Sequence, residues 1–270
     1  ADGQKLAAVV SGGKIYTSTN SGATWTPQET DRAWTSIASS ADGQKLAAVV
    51  SGGRIYTSMD SGVNWAPQAT DRAWQSIASS STGSELVAVV SGGQIYTSTD
   101  SGVSWTAQET DRAWTSVASS SNGQKLAAVV SGGRIYTSTD SGVNWTPRDT
   151  SDRPWRAIAS SADGARLAAV SNRGRIFTST DSGVNWSLAR KVNTKWQSIA
   201  SSADGSKLAA VRDGGGVYTS QGAGAIPYNL PVFADGVARS VPDFATGIDD
   251  GDPEKAQVLS FNVTSTNSEL

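Results

Sequence analysis

Short apolar runs alternate with glycine-rich turns along most of this chain, at lengths that suit strands and not helices. Leu46-Ala-Ala-Val-Val50 is a short continuous apolar run and reads as a strand. Arg54-Ile-Tyr-Thr-Ser58 alternates and is rich in β-branched and aromatic residues, the mark of a second strand. Ahead of them, Trp34-Thr-Ser-Ile-Ala-Ser-Ser40 reads as another strand, and a fourth starts near Asn64-Trp65. Asp42-Gly43, Ser51-Gly52-Gly53 and Asp60-Ser61-Gly62 turn the chain between them. No segment shows a 3.6-residue period, and glycine recurs too often for helix interiors.

The pattern repeats. Leu6, Leu46, Leu86 and Leu126 are 40 residues apart, and Leu167 and Leu208 follow at intervals of 41. Four short strands joined by tight turns in a unit of this length match one blade of a β-propeller.

Residues 58–65 read Ser-Met-Asp-Ser-Gly-Val-Asn-Trp, and the form S-x-D-x-G-x-x-W returns at residues 98–105, 138–145 and 179–186. A first copy at residues 18–25 carries Asn20 in the Asp place. Five copies in fixed register resemble the Asp-box repeats of β-propellers, a resemblance that covers roughly residues 1–221. Such propellers include sialidases and other glycan-active proteins, sortilin-type receptors and photosystem assembly factors. The resemblance implies an all-β propeller and leaves the function open. It also implies that Asn20, Asp60, Asp100, Asp140 and Asp181 lock turns far from any active site. An Asp in a tight turn accepts backbone N–H groups a few residues on, and Asn can do the same while being a poorer metal ligand.

All ten Trp residues lie in the repeats. Trp25, Trp65, Trp105, Trp145 and Trp186 close the turn motif and are expected to pack between blades. Trp34, Trp74, Trp114, Trp155 and Trp196 open the first strand of a unit. They are candidate sugar-stacking platforms, with blade packing as the competing role. Just ahead of them, Asp-Arg dipeptides bring Arg32, Arg72, Arg112 and Arg153, with Lys195 in the last unit. The turn between the second and third strands, expected on the same face, carries Lys14, Arg54, Arg134 and Arg175, with Gln94 in one unit. One face therefore displays a ring of cations suited to an anionic group, since Arg binds carboxylates in a bidentate fashion. The alternative is that these arginines pair with the neighbouring Asp31, Asp71, Asp111 and Asp152 and pin the loops.

Composition narrows the chemistry. There is no Cys and no His, which removes thiolate nucleophiles, disulfides, imidazole bases and the usual zinc sites. With 22 basic and 24 acidic residues the net charge is -2, so nothing draws nucleic acid or an anionic membrane surface. No apolar run approaches the roughly 18–20 residues of a membrane span. A sialidase would need unlike residues from unlike blades converging on one point, and these blades are near copies of one another. Tyr16, Tyr56, Tyr96, Tyr136 and Tyr218 share one position with Phe177, which fits a packing aromatic and not a nucleophile. Equal surfaces on a rigid disc suit multivalent binding, of glycans or of a surface protein. A passive spacer is the alternative, and a glycosidase a further one.

Beyond Gln221 the composition changes. Residues 222–230 read as a linker, and residues 231–270 resemble the start of an immunoglobulin- or cadherin-like sandwich from large bacterial surface proteins. Gln257-Val-Leu-Ser-Phe-Asn-Val-Thr264 alternates as a half-covered strand should. Asp249-Asp-Gly-Asp-Pro-Glu254 is an acidic loop for which a Ca²⁺ role and a solvated turn are both open, and no other cofactor is expected. The first unit lacks its innermost strand and the last its outermost. The expectation is an upstream continuation and a six-bladed ring, or seven blades with one more unit. The protein is expected to be secreted or on the cell surface, as part of a larger chain.

Overall fold

The structure is a computed structural model that describes residues 3–148, 152–172, 174–191, 194–221 and 228–230. All of their regular structure is β, and none of it is helical. The immunoglobulin-like reading of residues 231–270 and the acidic loop at 249–254 lie outside the described residues.

Each repeat folds into an antiparallel sheet, a propeller blade, with an inner, a second, a third and an outer strand. In the third repeat, residues 74–79 pair with Leu86–Gly93, which pairs with Ile95–Ser98, which pairs with Thr106–Ala107. The long strands Thr26–Ser39 and Ala66–Ser79 each serve two blades, as the outer strand of one and the inner strand of the next. In the first repeat, Leu6–Val9 and Ser11–Ser18 are present, and no described residue takes the inner place. In the sixth, Trp196–Ser201, Lys207–Arg212 and Val217–Gln221 are joined by Tyr228–Leu230, which pairs beside Val217–Gln221. The last unit therefore has its outer strand, supplied by residues that the sequence placed in the linker.

The second strands are apolar throughout because both of their faces meet a neighbouring blade. Ala47 and Val49, with Ile55, pack against Trp74, Ile77, Leu86, Ala88, Val90 and Tyr96 of the next blade. The alternate residues Ala48 and Val50 pack the other way, with Trp34 and Ile15. The same formula recurs between the later blades. Successive side chains of a strand point to opposite faces, so one five-residue run supplies two cores.

Two further devices hold the blades around the axis. A bulge follows each inner Trp: Trp34 faces Val50 while Ser36 faces Val49. The extra residue, Thr35, is thereby turned outward, and its hydroxyl donates to the Trp74 carbonyl at 3.1 Å. At one end of the axis the turns after the inner strands form a chain of backbone bonds from blade to blade. Ala41 N–H donates to Ser81, Ser81 to Ser121, Ser121 to Ala162 and Ala162 to Ala203, at 2.7–2.8 Å. This chain surrounds an axial cavity of about 410 Å³ bordered by Ser39, Ser79, Ser119, Ser160 and Ser201. The hydroxyls of these serines donate to the carbonyl of the next residue, so the cavity wall is already internally bonded.

Candidate ligand-binding face

The Asp-Arg loops and the second-to-third-strand turns share one end of the blades. Ser51 pairs with Ala73 and Gly53 with Arg72, which ties the turn of one blade to the loop leading into the next. The S-x-D-x-G turns lie at the opposite end of the third strands, where Ser61 N–H donates to the Gln44 carbonyl at 2.8 Å.

On the loop face Arg32, Arg72, Arg112 and Arg153 each stand over an aromatic ring of the following blade. The Arg32 guanidinium is 4.6 Å from the Tyr56 ring centre, Arg72 is 4.7 Å from Tyr96, Arg112 is 4.7 Å from Tyr136 and Arg153 is 4.6 Å from Phe177. Phe177 serves as well as tyrosine because the interaction uses the ring and not the hydroxyl. A Trp meets each ring at a steep angle, with centroids 5.2 Å and planes 72° apart for Trp34–Tyr56, Trp74–Tyr96 and Trp114–Tyr136. Trp155–Phe177 and Trp196–Tyr218 follow suit.

This stacking corrects two readings of the sequence. Trp34, Trp74, Trp114, Trp155 and Trp196 are no sugar platforms: each is 0 or 1 % exposed, enclosed between its own blade and the preceding one. Lys195 does not take the arginine place in the last unit either. It is exposed, while Arg190 and Arg212 approach the Tyr218 ring at 5.6 Å each. The Glu29–Arg32 and Glu109–Arg112 pairs were also missed as contacts. Their i, i+3 spacing is the signal that could have found them.

The ring of cations is unevenly neutralised. Glu29 lies 3.4 Å from Arg32 and Glu109 lies 3.6 Å from Arg112, whereas the matching residue ahead of Arg72 is Ala69. Arg72 is exposed and makes no ion pair among the described residues. Arg54–Asp71 at 3.4 Å and Arg134–Asp152 at 3.7 Å join turn to loop across the surface. Such exposed pairs are worth about 0–1 kcal/mol each and leave guanidinium donors free for a ligand. Burial pushes the Glu109 carboxyl up, but the Thr110 amide and hydroxyl and the Arg112 charge together hold it below the usual glutamate range. An open groove of about 650 Å³ runs over the fourth blade, between Arg112, Arg134, Tyr136, Pro147 and Asp152.

At the opposite end every aspartate of the motif is occupied by its own turn. Asp60 accepts from the Asn64 amide at 2.9 Å, the Asn64 side chain at 2.7 Å and the Ser58 hydroxyl at 2.8 Å. The Ser58 hydroxyl in turn accepts from Gly62 N–H at 2.9 Å. Trp65 Nε1 donates to the Gly62 carbonyl at 2.8 Å, so Trp65 closes the same turn. Trp105, Trp145 and Trp186 do likewise. Asn20 reproduces the amide contact, accepting from Thr24 N–H at 2.9 Å. These bonds hold Asp60 and Asp181 at about 2, through the amides and side chains of Asn64 and Asn185. Asp100 also sits at about 2, through the hydroxyl and amide of Ser104, and Asp140 is lowered in the same way by Asn144. Among the described residues no three carboxylates gather in a way that could hold a metal ion.

No protein-family model matches the chain, and no curated protein matches it in sequence. Solved structures do match in fold. "YCF48 bound to D1 peptide" superposes with a TM-score of 0.63 at 21 % identity, covering 82 % of this chain and 75 % of that one. YCF48 from Cyanidioschyzon merolae gives a TM-score of 0.65 at 17 % identity, covering 84 % and 81 %. An ancestral GH74 enzyme gives 0.65 at 19 % identity over 80 % of this chain, which spans only 34 % of the enzyme. At these identities the likeness establishes the architecture alone: the chain is an all-β protein with the fold of a β-propeller.

Proposed function

We propose that this chain is a non-catalytic binding module whose loop face takes an anionic, extended polypeptide segment. The observation that carries this reading is the repeated arrangement in which an arginine stands over a tyrosine or phenylalanine that contacts a buried tryptophan. A guanidinium held over a ring loses little side-chain freedom on binding and can offer its N–H groups to a carboxylate. Several equivalent sites on one rigid face add avidity along a strand-like ligand. One structural neighbour, YCF48, is bound to D1 peptide, in keeping with a polypeptide ligand for this fold. Burial of the inner tryptophans removes the stacking surface that a glycan reading had relied on. The near identity of the blades argues against a single catalytic point. In this reading the module belongs to a larger secreted or surface protein.

The test is a titration of the protein with an Asp/Glu-rich peptide, a neutral peptide of the same length and an acidic oligosaccharide. Binding of the acidic peptide that weakens with salt and is lost in the Arg72→Ala/Arg112→Ala variant is the expected result. Binding that survives this double substitution, or a preference for the oligosaccharide, overturns the proposal.

A further inference from the structure

Three successive loops of the candidate binding face differ at one position. Residues 29–32 and 109–112 read Glu-Thr-Asp-Arg, and residues 69–72 read Ala-Thr-Asp-Arg. Where the loop has a glutamate, its carboxylate folds back on the arginine three places on. Glu29 meets Arg32 at 3.4 Å, and Glu109 meets Arg112 at 3.6 Å. The threonine between them adds donors of its own. Thr110 N–H and Oγ1 each donate to Glu109 at 2.9 Å, and Thr30 N–H donates to Glu29 at 3.4 Å. Arg32 and Arg112 therefore already hold a carboxylate, each from its own loop.

The loop with Ala69 keeps the arginine and lacks the carboxylate. Arg72 holds the same place, 4.7 Å from the Tyr96 ring centre, and is exposed, whereas the Arg32 and Arg112 side chains are partly covered. Its neighbour Asp71 does not compensate it, because Asp71 pairs with Arg54 at 3.4 Å. The backbone is not the cause: Ala69 has φ +53° and Glu29 has φ +50°, so the same conformation accepts either residue. This loop is also pinned without a glutamate. Trp74 Nε1 donates to the Thr70 carbonyl at 3.3 Å, while Nε1 of Trp34 and of Trp114 is buried without a partner. The turn beside Tyr96 carries Gln94 where the second and fourth blades have Arg54 and Arg134, so Arg72 is the cation of this site.

We infer that Arg72 is the anchoring subsite for one side-chain carboxylate of the bound segment, and that Glu29 and Glu109 are built-in occupants that keep the equivalent subsites closed. The inference rests on the binding face proposed above and names where on that face the acid is taken. The guanidinium N–H groups of Arg72 take the carboxylate, with Thr70 in the place of the threonines that donate to Glu29 and Glu109. An acid arriving at Arg32 or Arg112 must displace a carboxylate tethered three residues away, which is present at high effective concentration. At Arg72 it displaces no side-chain carboxylate. Among these three loops one site is therefore open, and a single residue, Ala69, opens it. Near-identical blades thus acquire a fixed register for their ligand.

The experiment titrates the full chain with an Asp/Glu-rich peptide blocked at both ends, read by calorimetry at low salt. Ala69→Glu should weaken binding at least about tenfold, and Ala69→Gln, equal in size but uncharged, by less than about threefold. Because Glu29 already adopts this backbone conformation, the thermal midpoint of Ala69→Glu should stay close to that of the unsubstituted protein. The double variant Glu29→Ala/Glu109→Ala should bind the peptide more tightly or take up more of it per chain. Three results overturn the inference while leaving the binding face standing: Ala69→Glu binds as well as the unsubstituted protein, Ala69→Gln loses as much as Ala69→Glu, or the double variant gains nothing. If neither the unsubstituted protein nor the double variant binds the peptide, the inference and the binding face fall together.

Discussion

The Arg72 guanidinium lies 4.7 Å from the centre of the Tyr96 ring, and the same ring meets Trp74 with centroids 5.2 Å and planes 72° apart. Of the three groups only the arginine is exposed. The proposed recognition surface is thus built directly on the inter-blade core, and binding and packing separate by substitution. Arg72→Lys keeps the charge but loses the planar fork, so ligand binding should fall while stability stays within about 0.5 kcal/mol of the parent. Arg72→Ala should cost about 0.5–1 kcal/mol in addition, the worth of an exposed cation–π contact. Denaturant titrations beside binding isotherms check both. A stability loss in Arg72→Lys as large as in Arg72→Ala would mean that the stack is structural only.

Trp74 should behave as a core residue. It fills the space between two blades and is fully buried. Trp74→Ala should destabilise by about 3–5 kcal/mol, the range for deleting a large buried aromatic, while Trp65→Ala at the half-buried turn should cost less. Equilibrium unfolding in urea reads the difference. If the two variants lost equal stability, the distinction between inner and turn tryptophans would fail.

How much of this was legible in the chain differs from feature to feature. The turn motif, the blade-length repeat and the strand at Leu46-Ala-Ala-Val-Val50 follow from local chemistry, and the structure places them as read, while the burial of that run on both faces shows only in the packed blades. The fate of Trp34 and its equivalents does not follow, because a Trp at the head of a strand is enclosed or exposed according to the neighbouring blade. Thr35 is turned by a bulge that no residue type announces. Lys195 was misassigned because it stands one place before Trp196, whereas Arg32, Arg72, Arg112 and Arg153 stand two places before their Trp, a place that Thr194 holds here. Arg190, further back, and Arg212 reach Tyr218 instead.

Two glycines separate backbone strain from crowding. Gly52 has φ +72° and nothing within 4 Å of where a Cβ would stand. Gly102 has φ +90°, and its Cβ would lie 2.8 Å from Thr57 Cγ2 of the preceding blade and 3.2 Å from Leu86 Cδ1. Gly52→Ala should cost about 1–2 kcal/mol, the penalty of an L-residue in the left-handed region. Gly102→Ala should cost clearly more, because the neighbouring blade must also shift. Thermal midpoints of the two variants test this, and equal losses would show that the blades are not in close contact at Gly102.

Acid should unfold this protein through its turns. Asp60, Asp100 and Asp181 have carboxyls held at about 2, below the ordinary aspartate value, and Asp140, Asp42 and Asp163 are lowered as well. A carboxyl whose folded value lies below its unfolded value contributes stability above the unfolded value, near pH 4, and loses it as the pH falls towards the folded one. With no His in the chain, no imidazole titrates between about pH 5 and 8, so stability should be flat there and fall between about pH 4 and 2. The first unit shows how to test the cause. Asn20 makes the same turn without a charge, accepting from Ser18 Oγ and Thr24 N–H, each at 2.9 Å. Replacing Asp60, Asp100, Asp140 and Asp181 together by Asn should lower the midpoint at neutral pH and flatten its decline below about pH 4. An acid limb as steep as that of the parent would place the acid sensitivity elsewhere, with Asp42, Asp163 and Asp204 in the turns around the axial cavity as the next carboxylates to replace.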